Sequence, residues 1–192
     1  MLKLDPPEGR LLLHSCCAPC SGAIIECLLQ NGIRPTVFFS NSNIFTPEEY
    51  AHRLSELKRY CDSLGVETVD DDYDHPCWLA EVRGLENEPE RGGRCAKCFE
   101  FRLLRAARWG RTHGFGVLTT SLASSRWKSL EQVDAAGFKA CGTASAEPSG
   151  GGEIVWWPQN WRKGGLQPRR GEIIAEQHFY NQTFCGCEFS RK

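Results

Sequence analysis

Five short apolar runs alternate along the chain with longer amphipathic stretches. The runs lie at 11–13, 35–39, 66–69, 117–122 and 154–157, and they predict five strands because they are short, strongly apolar and bounded by turn residues. The stretches between them predict helices at 21–30, 46–64, 78–82, 95–112, 129–136 and 171–177. Strands that alternate with helices indicate an α/β protein, with a single-domain parallel sheet and flanking helices.

The length of the chain predicts one domain. Its 192 residues suffice for one full-sized domain and are too few for two of comfortable size, so we expect a single domain over 1–192. Within it, the Gly-, Ser-, Ala- and Pro-rich stretch at 142–152 predicts a flexible loop. Residues 180–192 predict a C-terminal segment that carries a Cys-Gly-Cys motif.

Charge and hydropathy limit the classes of partner. No apolar run approaches the ~20 residues that a membrane-spanning helix needs. Residues 1–10 contain no apolar stretch of the signal-peptide type, so we expect a cytoplasmic protein with no membrane partner. The formal net charge of −1 argues against nucleic-acid binding driven by overall charge, but it is compatible with a local basic face.

Eleven cysteines set this composition apart. In a reducing cytoplasm, grouped cysteines bind metal or carry out redox chemistry more often than they form disulfides. Four of them stand alone, and we expect each to be a small buried apolar residue: Cys27, Cys61, Cys77 and Cys141. The other seven form three clusters, namely Cys16, Cys17 and Cys20, then Cys95 and Cys98, and finally Cys185 and Cys187.

The first cluster lies on the turn between the first strand and the first helix. In open α/β sheets ligands bind at the carboxyl ends of strands, and the positive end of a helix dipole favours thiolates. Cys95 and Cys98 lie one turn apart on one helix face. A zinc site or an iron–sulfur cluster takes four thiolates, so spacing alone leaves iron–sulfur, zinc, and packing or disulfide use open.

A family resemblance rests on motifs spread over the whole chain. They read, in order, Leu-Leu-Leu-His-Ser-Cys-Cys-Ala-Pro-Cys at 11–20, Asn-Ser-Asn-Ile at 41–44, Glu-Tyr at 49–50, Glu-Pro-Glu-Arg-Gly-Gly-Arg-Cys-Ala-Lys-Cys-Phe at 88–99, Arg-Leu at 102–103, Thr-Thr-Ser-Leu at 119–122, Arg-Lys at 162–163 and Tyr-Asn-Gln-Thr-Phe-Cys-Gly-Cys at 180–187. In these motifs the chain resembles the QueH family of epoxyqueuosine reductases. One departure is Asn160, which stands where the family usually has an aspartate.

The resemblance implies a fold, a reaction and cofactors. The fold is that of the adenine-nucleotide α-hydrolases, which PP-loop tRNA-modifying enzymes share. The reaction removes the epoxide oxygen of epoxyqueuosine at the anticodon wobble position of tRNA. The implied cofactors are a 4Fe-4S cluster and a second metal ion, expected to be iron, with neither cobalamin nor ATP. We expect a ferredoxin- or flavodoxin-type electron donor, because an iron–sulfur cluster passes single electrons.

All seven clustered cysteines match the family, and we expect them to hold the metal centre. Cys16, Cys17, Cys95 and Cys98 are expected to contribute most of it. Cys20, Cys185 and Cys187 are expected to supply the remaining ligands or to hold the second metal, and the C-terminal segment is expected to return Cys185 and Cys187 to the site. Which thiol binds which metal does not follow from spacing.

Two further sets of residues are functional candidates. His14 and Tyr180 are candidate proton donors, although His14 equally fits a core histidine bonded to backbone and Tyr180 a packing residue. Anticodon loops are read by aromatic stacking and phosphate contacts. The candidates for such contacts are Arg94, Arg102, Lys128, Trp161, Arg162, Lys163, Arg169 and Gln182, with Trp127 as a second stacking platform. Together they predict a basic face around the cysteines.

Two other classes of function remain open at this point. One is a zinc-binding or thiolating PP-loop-like tRNA enzyme, which predicts ATP binding and a colourless protein. The other is a non-catalytic RNA-binding module stabilised by metal, which predicts one zinc and no redox signal.

Overall fold

The computed structural model describes residues 2–148 and 150–190. Its centre is a five-stranded parallel sheet in the order β3-β2-β1-β4-β5. The strands are β1 (Leu11–Ser15), β2 (Thr36–Phe39), β3 (Thr68–Asp70), β4 (Val117–Thr120) and β5 (Val155–Trp156). The predicted α/β class and all five predicted strands are confirmed, and the narrower adenine-nucleotide α-hydrolase assignment stays a prediction.

Helices cover both faces of the sheet. They are α1 (Ala18–Gln30), α2 (Pro47–Ser63), α3 (His75–Glu81), α4 (Gly93–Thr112), α5 (Leu130–Ala146) and α6 (Leu166–Gln177). Helices α1, α2 and α6 pack together, and α4 packs against α5. Right-handed crossovers place the first group on one face and the second on the other, because the strand order reverses direction at β1. Within the described residues, no helix combines the length and apolarity needed to cross a membrane.

The middle strands are buried on both faces. Leu12, Leu13, Val37, Phe38 and Phe39 have no exposed surface. This explains why the strands appear in the sequence as continuous apolar runs rather than as alternating patterns. The strands β1 and β4 are neighbours at the point where the strand order reverses, which is where open α/β sheets bind ligands.

The predicted loop at 142–152 is wrong for its first five residues. Helix α5 continues through Gly137, where the sequence predicted its end, and stops at Ala146. Small residues at one-turn spacing, including Ala140 and Ala144, are buried along one side of this helix, so packing overrides the low helix propensity of the glycines. The rest of the predicted loop includes Ser149, which lies outside the described residues.

Three of the four isolated cysteines are buried as predicted, and Cys77 is not. Cys27, Cys61 and Cys141 are all less than 5 % exposed. Cys77 is exposed because helix α3 turns its neighbour Trp78 inward and thereby turns Cys77 to the solvent.

Gly137 explains a close contact between α5 and the sheet. A Cβ atom on Gly137 would lie 2.2 Å from two atoms of the Trp156 ring, whereas a Cβ atom on Gly142 would meet nothing within 4 Å. We expect Gly137→Ala to lower the free energy of unfolding by about 1–3 kcal/mol through overpacking. The matched control Gly142→Ala should raise it by about 0.5–1 kcal/mol through helix propensity. Urea unfolding measures both, and equal effects of the two variants would contradict this packing.

Candidate metal centre

The first thiol cluster lies where β1 and β4 end. β1 stops at Ser15, Cys16 and Cys17 form the turn, and α1 begins at Ala18 with a proline in its first turn. The backbone N–H of Cys16 donates to Ser121 Oγ at 3.0 Å, directly after β4. The two strand ends therefore fix the turn that presents the thiols.

Cys16, Cys17 and Cys20 form a compact triad. Their sulfur atoms all lie within 4.8 Å of one another, and the Cys16 and Cys17 sulfurs are 3.8 Å apart. All eleven cysteines are free thiols. Three sulfur donors at such separations suit a metal ion or a metal–sulfur cluster.

The other two clusters reach the same place from distant parts of the chain. A cavity of about 670 Å³ is lined by six of the seven clustered cysteines: Cys16, Cys20, Cys95, Cys98, Cys185 and Cys187. The seventh, Cys17, is buried beside it, with its sulfur 2.8 Å from Gln182 Nε2. The fold thus brings all three clusters together, including the Cys-Gly-Cys motif of the C-terminal segment.

The C-terminal segment is held in place by α2 and by the loop after β2. Arg53 on α2 donates from Nη1 to the Cys185 carbonyl oxygen at 3.1 Å, and Phe45 N–H donates to the Gly186 carbonyl oxygen at 2.9 Å. Gly186 has φ +108°, and a Cβ atom there would lie 3.1 Å from both Arg53 Nη1 and Ile44 Cγ1. Only glycine fits between the two cysteines.

A small apolar cluster joins α3, α4 and the C-terminal segment. Trp78 and Val82 pack there with Cys98 and Cys187, and both cysteines are less than 10 % exposed. Burial raises the pKa of the Cys98 thiol and raises that of Cys187 to about 12. Without a cation these thiols stay protonated, so metal binding has to drive their deprotonation.

The three thiols of the triad differ in the direction in which their pKa values are shifted. Hydrogen bonds from Cys17 and Cys20 hold the pKa of the Cys16 thiol well below its ordinary value, with further lowering by the charges of Lys128 and Arg102. The hydrogen bonds with Cys16 have the opposite effect on its neighbours: they raise the pKa of Cys17, and they raise that of Cys20 to about 11. Cys16 is therefore the first thiolate of this set.

Lys128 places a positive charge among the thiols. Its Nζ donates to Cys185 Sγ at 3.8 Å, and the side chain lines the cavity. Burial alone would lower the pKa of Lys128, but the thiolate charges of Cys185, Cys16 and Cys20 together raise it. The ammonium group favours negative charge on the sulfur atoms, which is the form that binds metal.

Neither predicted proton donor lines the cavity. His14 is fully buried beneath it, with Nδ1 2.7 Å from Thr120 Oγ1 and Nε2 donating to the Ser40 carbonyl oxygen at 3.0 Å. Burial, together with the Arg102 charge, lowers the pKa of His14 to about 3, so its ring is neutral. The alternative interpretation, a core histidine bonded to backbone, describes this position.

Tyr180 lies in a neighbouring cavity of about 1050 Å³, which four glutamates line. Its ring stacks on His52 at 4.9 Å between centroids, and its backbone N–H donates to Glu56 Oε1. These contacts anchor the C-terminal segment on α2, so the structure gives no support to catalysis by Tyr180.

The predicted tRNA-binding residues separate into three groups. Arg94, Lys128 and Gln182 line the cysteine cavity, although Arg94 is 3 % exposed and donates to the carbonyl oxygens of Leu85, Glu86 and Glu88. Arg102 and Trp161 are 1 % and 0 % exposed, so neither can contact a macromolecule at its surface. The Trp161 indole instead donates to the Thr120 carbonyl oxygen at 3.1 Å.

The third group lies outside the cavity lining. Arg162 donates to the carbonyl oxygens of Ser125 and Lys128 and so holds the loop that carries Lys128. Lys163 is exposed to solvent, whereas Arg169 forms ion pairs with Glu26, Glu172 and Glu176. Asn160, the departure from the family pattern, accepts the backbone N–H of Arg162 through Oδ1 and shapes this turn.

Four basic residues of the lining were not among the candidates from the sequence. Arg53, Arg91, Arg126 and Arg170 join Arg94 and Lys128 in a lining that contains six basic residues and one acidic residue, Glu90. The predicted basic face around the cysteines is therefore present in the cavity lining. Arg91 has φ +66° and its guanidinium donates to the carbonyl oxygens of Arg126 and Trp127. The signal in the sequence is that Arg91 belongs to the 88–99 motif and lies four residues before Cys95.

Comparison with known proteins places the chain in a family. A family model described as "Epoxyqueuosine reductase QueH" matches residues 11–192. The chain belongs to the epoxyqueuosine reductase QueH family. It is 43% identical over 190 residues to the epoxyqueuosine reductase QueH of Haemophilus influenzae, covering 98% of this chain and 75% of that protein. It is 44% identical over 189 residues to the QueH of Acinetobacter baylyi, covering 98% and 84%. The QueH of Thermotoga maritima is 27% identical over 186 residues, covering 95% and 90%. The family resemblance is confirmed.

The triad predicts a sharp difference between two cysteine variants. We expect Cys16→Ser to weaken Zn²⁺ binding by more than the ~10- to 100-fold that loss of an outer-shell partner costs, because a thiolate ligand is lost. The control Cys77→Ser removes an exposed, isolated thiol and should leave the affinity unchanged. Competition titration with a chromophoric chelator under anaerobic conditions measures both. Equal Zn²⁺ affinity of Cys16→Ser and the wild type would exclude the triad as a ligand set.

Proposed function

We propose that this chain reduces epoxyqueuosine in tRNA to queuosine at the cysteine cavity. The observation that carries the proposal is that six clustered thiols line one cavity and the seventh lies beside it, in a chain of the epoxyqueuosine reductase QueH family. The relatives carry this activity in their names.

The donor set fits a metal centre. The triad sulfurs lie within 4.8 Å of one another, and four further thiols face the same cavity or pack at its wall. Seven thiols exceed the four that a single iron–sulfur cluster or zinc site takes. We therefore assign these residues to a 4Fe-4S cluster and a second metal ion, expected to be iron. Such a centre supplies single electrons and a Lewis acid.

The reaction sets the requirements for the rest of the site. Removing the epoxide oxygen breaks two carbon–oxygen bonds, forms a carbon–carbon double bond, consumes two electrons and two protons, and releases water. The electrons have to come from outside the chain, and a ferredoxin- or flavodoxin-type protein is the proposed donor. Lys128 and the buried Arg102 hold positive charge next to the thiolates that this chemistry needs.

The rim of the cavity suits a single-stranded anticodon loop. Six basic residues line it, and Trp127 is 66 % exposed beside them. Basic residues contact phosphates, and an exposed indole offers a stacking platform for a base. The Arg126 guanidinium lies 5.3 Å from the centre of this indole, and Arg91 donates to the Trp127 carbonyl oxygen, so stacking and charge are available at one place.

Anaerobic purification followed by an assay tests the proposal. We expect iron and acid-labile sulfide in the protein, a visible band that dithionite bleaches, and conversion of epoxyqueuosine to queuosine in tRNA with a chemical reductant. The matched control is Cys77→Ser, which should retain both the band and the activity. Zinc without sulfide after reconstitution, together with no conversion, would contradict the reductase proposal and favour the zinc-binding alternative.

Trp127 and Phe138 form a second matched pair for tRNA binding. Both are large exposed aromatic residues, at 66 % and 57 %, but only Trp127 lines the cavity. Loss of one stacked base costs ~1–3 kcal/mol, so Trp127→Ala should raise the Kd for an anticodon stem-loop by about 5- to 150-fold. Phe138→Ala should leave it unchanged. Fluorescence anisotropy at fixed salt measures both, and a larger effect of Phe138→Ala would place the RNA on a different surface.

A further inference from the structure

Arg102 is a buried cation without a carboxylate partner in the described part of the chain. It lies on α4 and is 1 % exposed. Its Nε donates to the Ser40 carbonyl oxygen at 3.1 Å, and its Nη2 donates to Asn41 Oδ1. Both acceptors are neutral, and none of the ion pairs among residues 2–148 and 150–190 includes Arg102.

Burying an unpaired charge is expensive, so a buried guanidinium calls for a negative partner. Other arginines of this chain have one: Arg53 pairs with Glu49, and Arg105 pairs with Asp71. The imidazole of His14 shares the Ser40 carbonyl oxygen with Arg102, but it is neutral. Arg94 and Arg111 are also buried on neutral carbonyl acceptors, so the lack of a carboxylate alone does not single out Arg102. What distinguishes Arg102 is its full burial beside groups that become negative when they bind metal.

These groups are the thiols of the metal centre. Cys98 lies one helical turn before Arg102 on α4, a spacing at which side chains are neighbours. Through Asn41, Arg102 is also connected to the carbonyl oxygen of Ser15, the residue directly before Cys16. The helical spacing and this connection place Arg102 near thiols from two of the three clusters. In keeping with this position, its charge opposes the rise that burial causes in the pKa of Cys98.

The environment fixes the guanidinium in this place. Asn41, which accepts from Arg102, donates from Nδ2 to the Ser15 carbonyl oxygen at 2.9 Å. Ser15 ends β1 and Ser40 follows β2, so Arg102 is tied to the ends of two neighbouring strands directly beneath the thiol turn. It cannot leave this position to contact tRNA.

We propose that Arg102 is a positioning residue whose fixed positive charge is the counter-ion of the thiolates of the metal centre, stabilising the bound metal and favouring its reduced form. The proposal rests on the proposed metal centre. It replaces the prediction that Arg102 binds tRNA. Since the charge is permanent and internal, it acts on the centre before any substrate is bound.

Arg111 provides a matched control on the same helix. It is also buried, and it also donates only to neutral acceptors in the contacts described, the carbonyl oxygens of Ala144, Gly151 and Gly152. It lies nine residues further along α4, about 13 Å along the helix axis. Substituting Arg111 removes a similar buried guanidinium without removing a charge next to the thiols.

The test compares Arg102→Gln, Arg102→Lys and Arg111→Gln with the wild type. Gln keeps a donor and removes the charge, whereas Lys keeps the charge. Anaerobic titration with Co²⁺ reports thiolate binding through its charge-transfer bands. We expect Arg102→Gln to weaken Co²⁺ binding by about 10- to 100-fold, and Arg102→Lys to weaken it less. Arg111→Gln should keep wild-type Co²⁺ affinity even where it lowers the Tm.

The midpoint potential of the iron-loaded protein gives a second readout, which a purely structural role would not move. We expect a more negative potential in Arg102→Gln than in the wild type and in Arg111→Gln.

Wild-type affinity and potential in Arg102→Gln, or equal losses in Arg102→Gln and Arg102→Lys, would overturn the proposal. If Arg102→Gln does not fold, Arg102→Lys decides: a wild-type potential supports the proposal, and a more negative one overturns it. Failure of the wild type itself to bind Co²⁺ or iron would overturn the proposed metal centre instead.

Discussion

The proposed metal centre imposes one electrostatic constraint on the structure: seven thiols gathered in a partly buried place would have to become thiolates. Burial opposes this, as the raised pKa values of Cys98 and Cys187 indicate. Positive charge inside the site favours it, from Lys128 beside Cys185 and from Arg102 near the thiol turn. A bound metal cation would add to this, since deprotonation and metal binding are thermodynamically linked. The same charges make the cavity attractive to the anionic backbone of RNA.

Three parts of the chain meet this constraint in different ways. The turn after β1 supplies a triad whose geometry is fixed by the adjoining strand ends. Helix α4 supplies two thiols at one-turn spacing and the buried Arg102 in the turn that follows. Within its described residues, 180–190, the C-terminal segment contains no strand or α-helix, so Cys185 and Cys187 are held by Arg53, Gly186 and contacts with the loop after β2. A change at Arg53 would therefore disturb the placement of Cys185.

The rim connects the metal centre to the surface through the same loops. The backbone N–H of Arg91 donates to Cys95 Sγ at 3.4 Å, and its guanidinium holds the carbonyl oxygens of Arg126 and Trp127. Arg162 holds the other end of that loop at Ser125 and Lys128. An RNA loop that stacks on Trp127 would thus contact a segment that is hydrogen-bonded to Arg91. Arg91 in turn donates to Cys95, so one residue connects the RNA contact to a thiol.

The sequence by itself determined the strands, most of the helices, the thiol clusters and the family, because each depends on local hydrophobic pattern or on fixed spacing. Predictions from the sequence were wrong where they depend on the direction in which a side chain points. Gly137 looks like a helix end but makes room for the Trp156 ring, and Cys77 faces solvent because Trp78 does not. Arg102, Trp161, His14 and Tyr180 have functional side chains, yet their hydrogen bonds and packing partners, most of them far away in the sequence, keep them out of the cavity. Only the tertiary structure brings such partners together, and burial then decides which polar groups line the cavity and which lie within the protein beside it.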